Sequence, residues 1–123
     1  MHSMEENIKE LYNVILSRKE NKQEGSYTTY LFEKGVNKIL KKVGEECTEV
    51  IVSCKDDNKE DQINEICDLT YHMLVLMAEK GITVEEVAQE LGNRRKKINN
   101  FKGERKPITN VWLISQVEIM TLN

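Results

Sequence analysis

The chain has 123 residues, 18 of them Lys or Arg and 21 Asp or Glu, for a formal net charge of −3. That length suits a single domain, and an acidic balance exerts no general electrostatic pull on nucleic acid or on an anionic membrane surface. A sequence-independent DNA binder is excluded, and neither a nucleic-acid nor a membrane partner is expected. Charged residues make up 32% and hydrophobic residues 39%, with one proline and six glycines, a composition that favours helices over a turn-rich β fold.

A first helix is predicted over 4–19, where Ile8, Leu11, Tyr12, Ile15 and Leu16 recur at helical spacing. The residues before it lack the basic flank and apolar stretch of a signal peptide. A polar stretch then leads to Gly25-Ser26-Tyr27-Thr28, where Ser26 or Thr28 is placed to cap a short helical piece through Lys34 that Gly35 ends. A second long helix is predicted over 36–55. Asp57-Asn58-Lys59-Glu60 has the form of a capping box opening a third, which ends near Gly81, and Thr83-Val84-Glu85-Glu86 opens a fourth that fades around Asn99. The longest apolar run, Met73 to Ala78, is far short of the roughly 20 residues of a membrane span. The expectation is a soluble, cytoplasmic, all-α protein: a helical bundle of four main helices plus a short helical piece, occupying 1–106. Residues 107–123 form a C-terminal tail of different composition, with the only tryptophan, Trp112, among Val111, Leu113, Ile114, Val117 and Ile119. It reads either as an arm packing on a partner or as a plain tail.

The cysteines Cys47, Cys54 and Cys67 are odd in number and include no C-x-x-C pair, so neither a disulfide framework nor a zinc site is indicated. They fall where a helix places apolar residues and are expected to be small core thiols.

The chemistry concentrates in the second and third helices. At about 100° per residue, Val36, Ile39, Val43, Cys47, Val50, Ile51 and Cys54 share an arc of roughly 120°, the expected buried face. Lys38, Lys41, Lys42, Glu45, Glu46 and Glu49 occupy a second arc of roughly 140°. Taken alone, that arc reads as a solvated face stitched by pairs such as Lys42 with Glu46. The third helix is apolar almost all the way round, through Ile63, Ile66, Leu69, Met73, Leu74, Val75, Leu76 and Met77, yet Glu65, Asp68 and His72 share one narrow stripe on it. Acids are seldom placed among such neighbours unless paired or bound to a metal. Glu46-x-x-Glu49 and Glu65-x-x-Asp68, facing each other, would bring four carboxylates to one small volume. At about 4 Å and an effective dielectric near 20, each like-charge pair costs about 4 kcal/mol, so the cluster must protonate, splay or bind a cation. Hard oxygen donors without His or Cys favour Mg²⁺ or Mn²⁺ completed by substrate phosphates, with the adjacent lysines as phosphate contacts. The pattern points to metal-assisted attack of water on a polyphosphate. His72 fits either a hydrogen bond to a metal-binding carboxylate or an ordinary buried histidine. Arg94-Arg95 reads better as a solvated helix end than as a phosphate contact.

Glu45-Glu46-Cys47-Thr48-Glu49 followed by Glu65-Ile66-Cys67-Asp68 resembles the E-E-x-x-E…E-x-x-D signature of the all-α nucleoside triphosphate pyrophosphohydrolases. The stretch Gly25-Ser26-Tyr27-Thr28-Thr29-Tyr30-Leu31-Phe32-Glu33-Lys34-Gly35, running into Lys38-Ile39-Leu40-Lys41-Lys42-Val43-Gly44-Glu45-Glu46, is more specific, and resembles the phosphoribosyl-ATP pyrophosphohydrolases of histidine biosynthesis. The similarity continues through Tyr71-His72 and Leu74-Val75-Leu76. It implies Mg²⁺-dependent hydrolysis of phosphoribosyl-ATP to phosphoribosyl-AMP and pyrophosphate. It further implies Glu46, Glu49, Glu65 and Asp68 as metal ligands, and Glu45 as the residue that orients or deprotonates the attacking water. Lys34, Lys38 and Lys42 would meet phosphate oxygens, and Ser26, Tyr27 and Thr28 would help to hold the substrate. The sequence departs from the family's usual form at Met1-His2-Ser3 and after Lys106, and it has no Cys-based cyclohydrolase region, so a monofunctional chain is expected.

Two other readings compete: a house-cleaning enzyme acting on common nucleoside triphosphates with the same metal chemistry, and a non-enzymatic helical dimerisation module with solvated acids. A homodimer is expected in any case, because a third helix without a face for water needs more cover than four helices supply.

Overall fold

The structure, a computed structural model, describes residues 1–98. Asn99, where the fourth long helix was expected to fade, and the tail 107–123 lie outside the described residues. The elements run α1 (Met4–Glu20), α2 (Tyr27–Lys34), α3 (Val36–Ser53), α4 (Lys59–Lys80) and α5 (Val84–Arg95), with no strand among the described residues.

Local chemistry sets most of these boundaries. The Ser3 side chain accepts from the Glu6 N–H while the Glu6 carboxylate reaches back to the Ser3 N–H, a capping box that opens α1. Ser26 caps α2 by accepting from the Thr29 N–H at 3.2 Å. Gly35, at φ 90°, lets α3 follow α2 with no intervening loop, and Gly81, at φ 71°, terminates α4. Thr83 and Glu86 form the expected reciprocal box at α5. The start of α4 differs from expectation: the cap is Asn58, whose side chain accepts from the Asp61 N–H at 3.1 Å, one residue beyond the predicted Asp57.

α3 and α4 form a hairpin packed along its length; α1 lies on α4, α2 bridges α1 and α3, and α5 rests on α1. The core gathers Tyr12 and Ile15 of α1, Leu31 of α2, Ile39 of α3, and Leu74, Val75 and Ala78 of α4. Two polar ties lock the layers. The Tyr12 hydroxyl donates to the Ile82 carbonyl at 2.5 Å, and Lys19 Nζ donates to the Ala78 carbonyl at 3.0 Å near the C-terminus of α4.

The expected apolar face of α3 is largely open: only Ile39 on it is buried, while Ile51 is 61% exposed. Cys47, Cys54 and Cys67 are exposed free thiols rather than core residues. On α4, Ile63 and Ile66 are 52% and 49% exposed. The reason is geometric, since α1 and α2 cover one side of the hairpin and nothing in the described part of a single chain covers the other.

Candidate active site and metal centre

Glu45, Glu46 and Lys42 stand on one side of α3, and Glu65 and Asp68 lie one turn apart on α4. Helix packing brings Glu46, Glu65 and Asp68 together, one carboxylate oxygen of each lying within 4.8 Å of the others. Glu49 stands outside this tight group, yet its charge is felt by Glu65. Partial burial, then the carboxylates of Asp68, Glu49 and Glu46, hold the Glu65 carboxyl above its ordinary value. Carboxylates held this close, all hard oxygen donors and partly open to water, fit Mg²⁺ or Mn²⁺, and these residues could hold such an ion.

Lys42 stands at the edge of the group. Its Nζ donates to Glu45 Oε2 at 3.1 Å and lies 3.6 Å from Glu46 Oε1, so the lysine pairs with both neighbours. Partial burial alone would lower the Lys42 pKa. The hydrogen bond to Glu45 and the charges of Tyr27, Glu45 and Glu46 outweigh it and hold the ammonium above its ordinary value. Lys38 is half-buried on the same helix, and Lys34 Nζ stands 5.8 Å from the Tyr30 ring centroid; neither forms an ion pair among the described residues.

The N-terminal turn of α2 supplies the remaining predicted residues. Ser26 is occupied as the helix cap, and the Thr28 hydroxyl bonds that of Tyr71. The Tyr27 hydroxyl meets His72 Nε2 at 2.9 Å, and His72 Nδ1 lies 2.7 Å from the Asp68 backbone carbonyl. His72 is therefore a buried, fully satisfied histidine whose contact with Asp68 is through the main chain, not the carboxylate. Tyr27 lies in a row of rings, 6.0 Å from Tyr30 and 6.2 Å from Tyr71, and also lines an open cleft of about 720 Å³ with Lys22, Gly25, Ser26 and Tyr30. Burial raises the Tyr27 pKa, Lys42 opposes, and Tyr71 and Glu46 add to the rise. The sequence reading overlooked Tyr71 as a partner of this turn. The available signal was its position, three residues beyond Asp68 and so on the same side of α4. Arg94 is bonded to Glu90 of its own helix at 3.2 Å, as a solvated end would be.

An all-helical bundle with hard-oxygen donors converging from two packed helices, and a lysine at their edge, is compatible with the helical pyrophosphohydrolase class that the sequence resembles. Comparison with known proteins narrows this class. The family model described as phosphoribosyl-ATP pyrophosphohydrolase matches residues 8–95. Phosphoribosyl-ATP pyrophosphatase of Clostridium novyi (strain NT) is 62% identical over 104 residues, covering 85% of this chain and 94% of the relative. The protein of that name from Clostridium acetobutylicum shows the same identity and coverage, and that from Listeria welshimeri is 54% identical over 101 residues, covering 82% and 96%. The chain belongs to the phosphoribosyl-ATP pyrophosphohydrolase family.

Proposed function

We propose that this chain hydrolyses phosphoribosyl-ATP to phosphoribosyl-AMP and pyrophosphate, the second step of histidine biosynthesis, with Mg²⁺ held by Glu46, Glu65 and Asp68 and completed by Glu49. The observation that supports the metal assignment is the convergence of three carboxylates from α3 and α4 within 4.8 Å. Acids this close repel one another, and a divalent cation between them would relieve that repulsion. When bound, Mg²⁺ supplies charge neutralisation for the triphosphate and for the negative charge that develops on the phosphoryl oxygens.

The chain's own residues then divide the work. Lys42, already held beside Glu45 and Glu46, meets a phosphate oxygen, with Lys38 and Lys34 further along the same approach. Glu45, kept close to Lys42, orients the attacking water and accepts its proton. The water oxygen bonds to phosphorus as the anhydride bridge between the α and β phosphates breaks, and the leaving pyrophosphate carries away the bridging oxygen's electron pair. The Ser26–Thr28 turn, with Tyr27 exposed beside the cleft, borders the rest of the substrate. This reading carries a cytoplasmic location with it, where phosphorylated intermediates are made. A second copy of the chain is proposed to cover the open apolar side of the α3–α4 hairpin.

The deciding assay is pyrophosphate release from phosphoribosyl-ATP with and without Mg²⁺, set beside a panel of common nucleoside triphosphates. The expected result is release from phosphoribosyl-ATP that chelation abolishes. Preference for an ordinary triphosphate would transfer the assignment to a house-cleaning enzyme, and no release from any substrate would leave a non-enzymatic helical module.

A further inference from the structure

The strongest unassigned feature is the pair of cross-links between the start of α2 and the middle of α4. Tyr27 and His72 are 45 residues apart in sequence, and Thr28 and Tyr71 are 43 apart, yet each pair meets through side-chain hydrogen bonds. His72 is 5% exposed, and its ring stands edge-on to both tyrosines, 5.7 Å from the Tyr27 centroid and 5.0 Å from that of Tyr71. A main-chain carbonyl oxygen only accepts, so the 2.7 Å contact with Asp68 requires that His72 Nδ1 carry a proton and donate it. In the neutral ring Nε2 is then an acceptor, and the Tyr27 hydroxyl at 2.9 Å donates to it. The carbonyl fixes the first bond, and the second runs from Tyr27 to His72 in the neutral ring.

Resting on the function proposed above, we infer that His72 is a positioning residue. Through Tyr27 it sets the register between the open cleft and the acid cluster. The Asp68 carbonyl holds the imidazole in its Nδ1–H form, and the ring in turn holds Tyr27 over the helix that carries Glu65 and Asp68. Tyr27 keeps 45% of its surface exposed while its hydroxyl is engaged, so its ring is a fixed wall rather than a free side chain. That wall lines the cleft with Lys22, Ser26 and Tyr30 and lies close enough to Lys42 and Glu46 to feel their charges. A substrate spanning both regions is aligned for attack only while the two keep their spacing. Losing the bond therefore costs turnover more than binding, as expected of a contact that acts through alignment.

Two measurements test this. With only His2 and His72 in the chain, the imidazole ¹⁵N resonances can be assigned by comparison with His2→Gln. His72 should show a protonated Nδ1 and an unprotonated, hydrogen-bonded Nε2, whose resonance moves in Tyr27→Phe. The opposite tautomer, or an unmoved resonance, overturns the inference with no reference to activity. In the kinetic arm, Tyr27→Phe should lower kcat for phosphoribosyl-ATP about tenfold with KM changed less than about twofold and the melting temperature kept. His72→Gln, which retains an acceptor for Tyr27, should keep more activity than His72→Leu, and adding Tyr27→Phe to His72→Leu should cause no further loss. An unchanged kcat in Tyr27→Phe, or losses that multiply in the double variant, overturns the positioning role. A wild-type protein that does not turn over phosphoribosyl-ATP defeats the proposed function instead, and the ¹⁵N experiment still decides whether the bond exists.

Discussion

Glu65 is where the site's electrostatics are most exposed to test. Its carboxyl is held above the ordinary 4.5, by partial burial first and then by Asp68, Glu49 and Glu46. A group that binds its proton more tightly when folded contributes stability that is full below its unfolded value and lost as the pH rises through the folded one. The metal-free protein should therefore lose melting temperature as the pH climbs from the carboxylate range toward neutrality. Mg²⁺ should restore it, and Glu65→Gln should flatten both responses, as read by thermal scans with and without chelator. Asp68→Asn should abolish pyrophosphate release while the fold survives, because removing one repelling acid relieves the metal-free state; near-normal turnover at saturating Mg²⁺ would show that Asp68 is not a ligand. Lys42→Ala should reduce turnover at least tenfold with little change in melting temperature, since a partly exposed Lys–Glu pair adds no more than about 1 kcal/mol. A large stability loss with intact kinetics would assign Lys42 to the fold alone. At this scale the sequence was informative about residue types and spacing, less so about partners. Glu65 and Asp68 share one side of α4 as their i,i+3 spacing implied, and helix packing adds Glu46 of α3 but leaves its i,i+3 partner Glu49 outside the tight group.

The elements were legible because their boundaries are made by short-range chemistry. Ser26, Gly35, Gly81 and the Thr83–Glu86 box act within a few residues of themselves, and each ends or starts a helix as its type dictates. Thr83→Ala should lower stability by about 1 kcal/mol, measured by urea unfolding. Turnover should be retained, since α5 supplies none of the acids. An unchanged urea midpoint would mean that the box contributes nothing beyond what water supplies. Asn58 displaced Asp57 as the cap of α4 because both types compete for the role, and a one-residue choice between them depends on how the chain leaves α3.

For the whole molecule, the open side of the α3–α4 hairpin carries the consequence. Ile51, Val52, Ile63 and Ile66 are all about half exposed or more, beside exposed Cys47, Cys54 and Cys67. Apolar side chains left open on this scale are what the proposed second copy would bury. A second copy covering it should give a mass near twice the 14.3 kDa of one chain by light scattering at low micromolar concentration. Ile66→Asp should shift the protein toward that single-chain mass, because a charge buried in a two-fold interface faces its own copy or apolar neighbours. A fully active wild-type species at the single-chain mass would refute the dimer.

Helix identity, the order of the elements and every cap but that of α4 were determined by the sequence itself, since periodicity and capping are properties of neighbours within a turn or two. The acid spacing on each helix was determined in the same way. Only the tertiary structure decided what depends on one helix meeting another: which acids share a volume, that His72 bonds the Asp68 main chain and Tyr27 rather than a carboxylate, and that Tyr71 anchors Thr28. It also decided that the cysteines lie in the open. A helical wheel identifies an apolar face, but whether that face is covered within the chain depends on the number and placement of helices available to pack on it. Here α1 and α2 reach only one side of the hairpin.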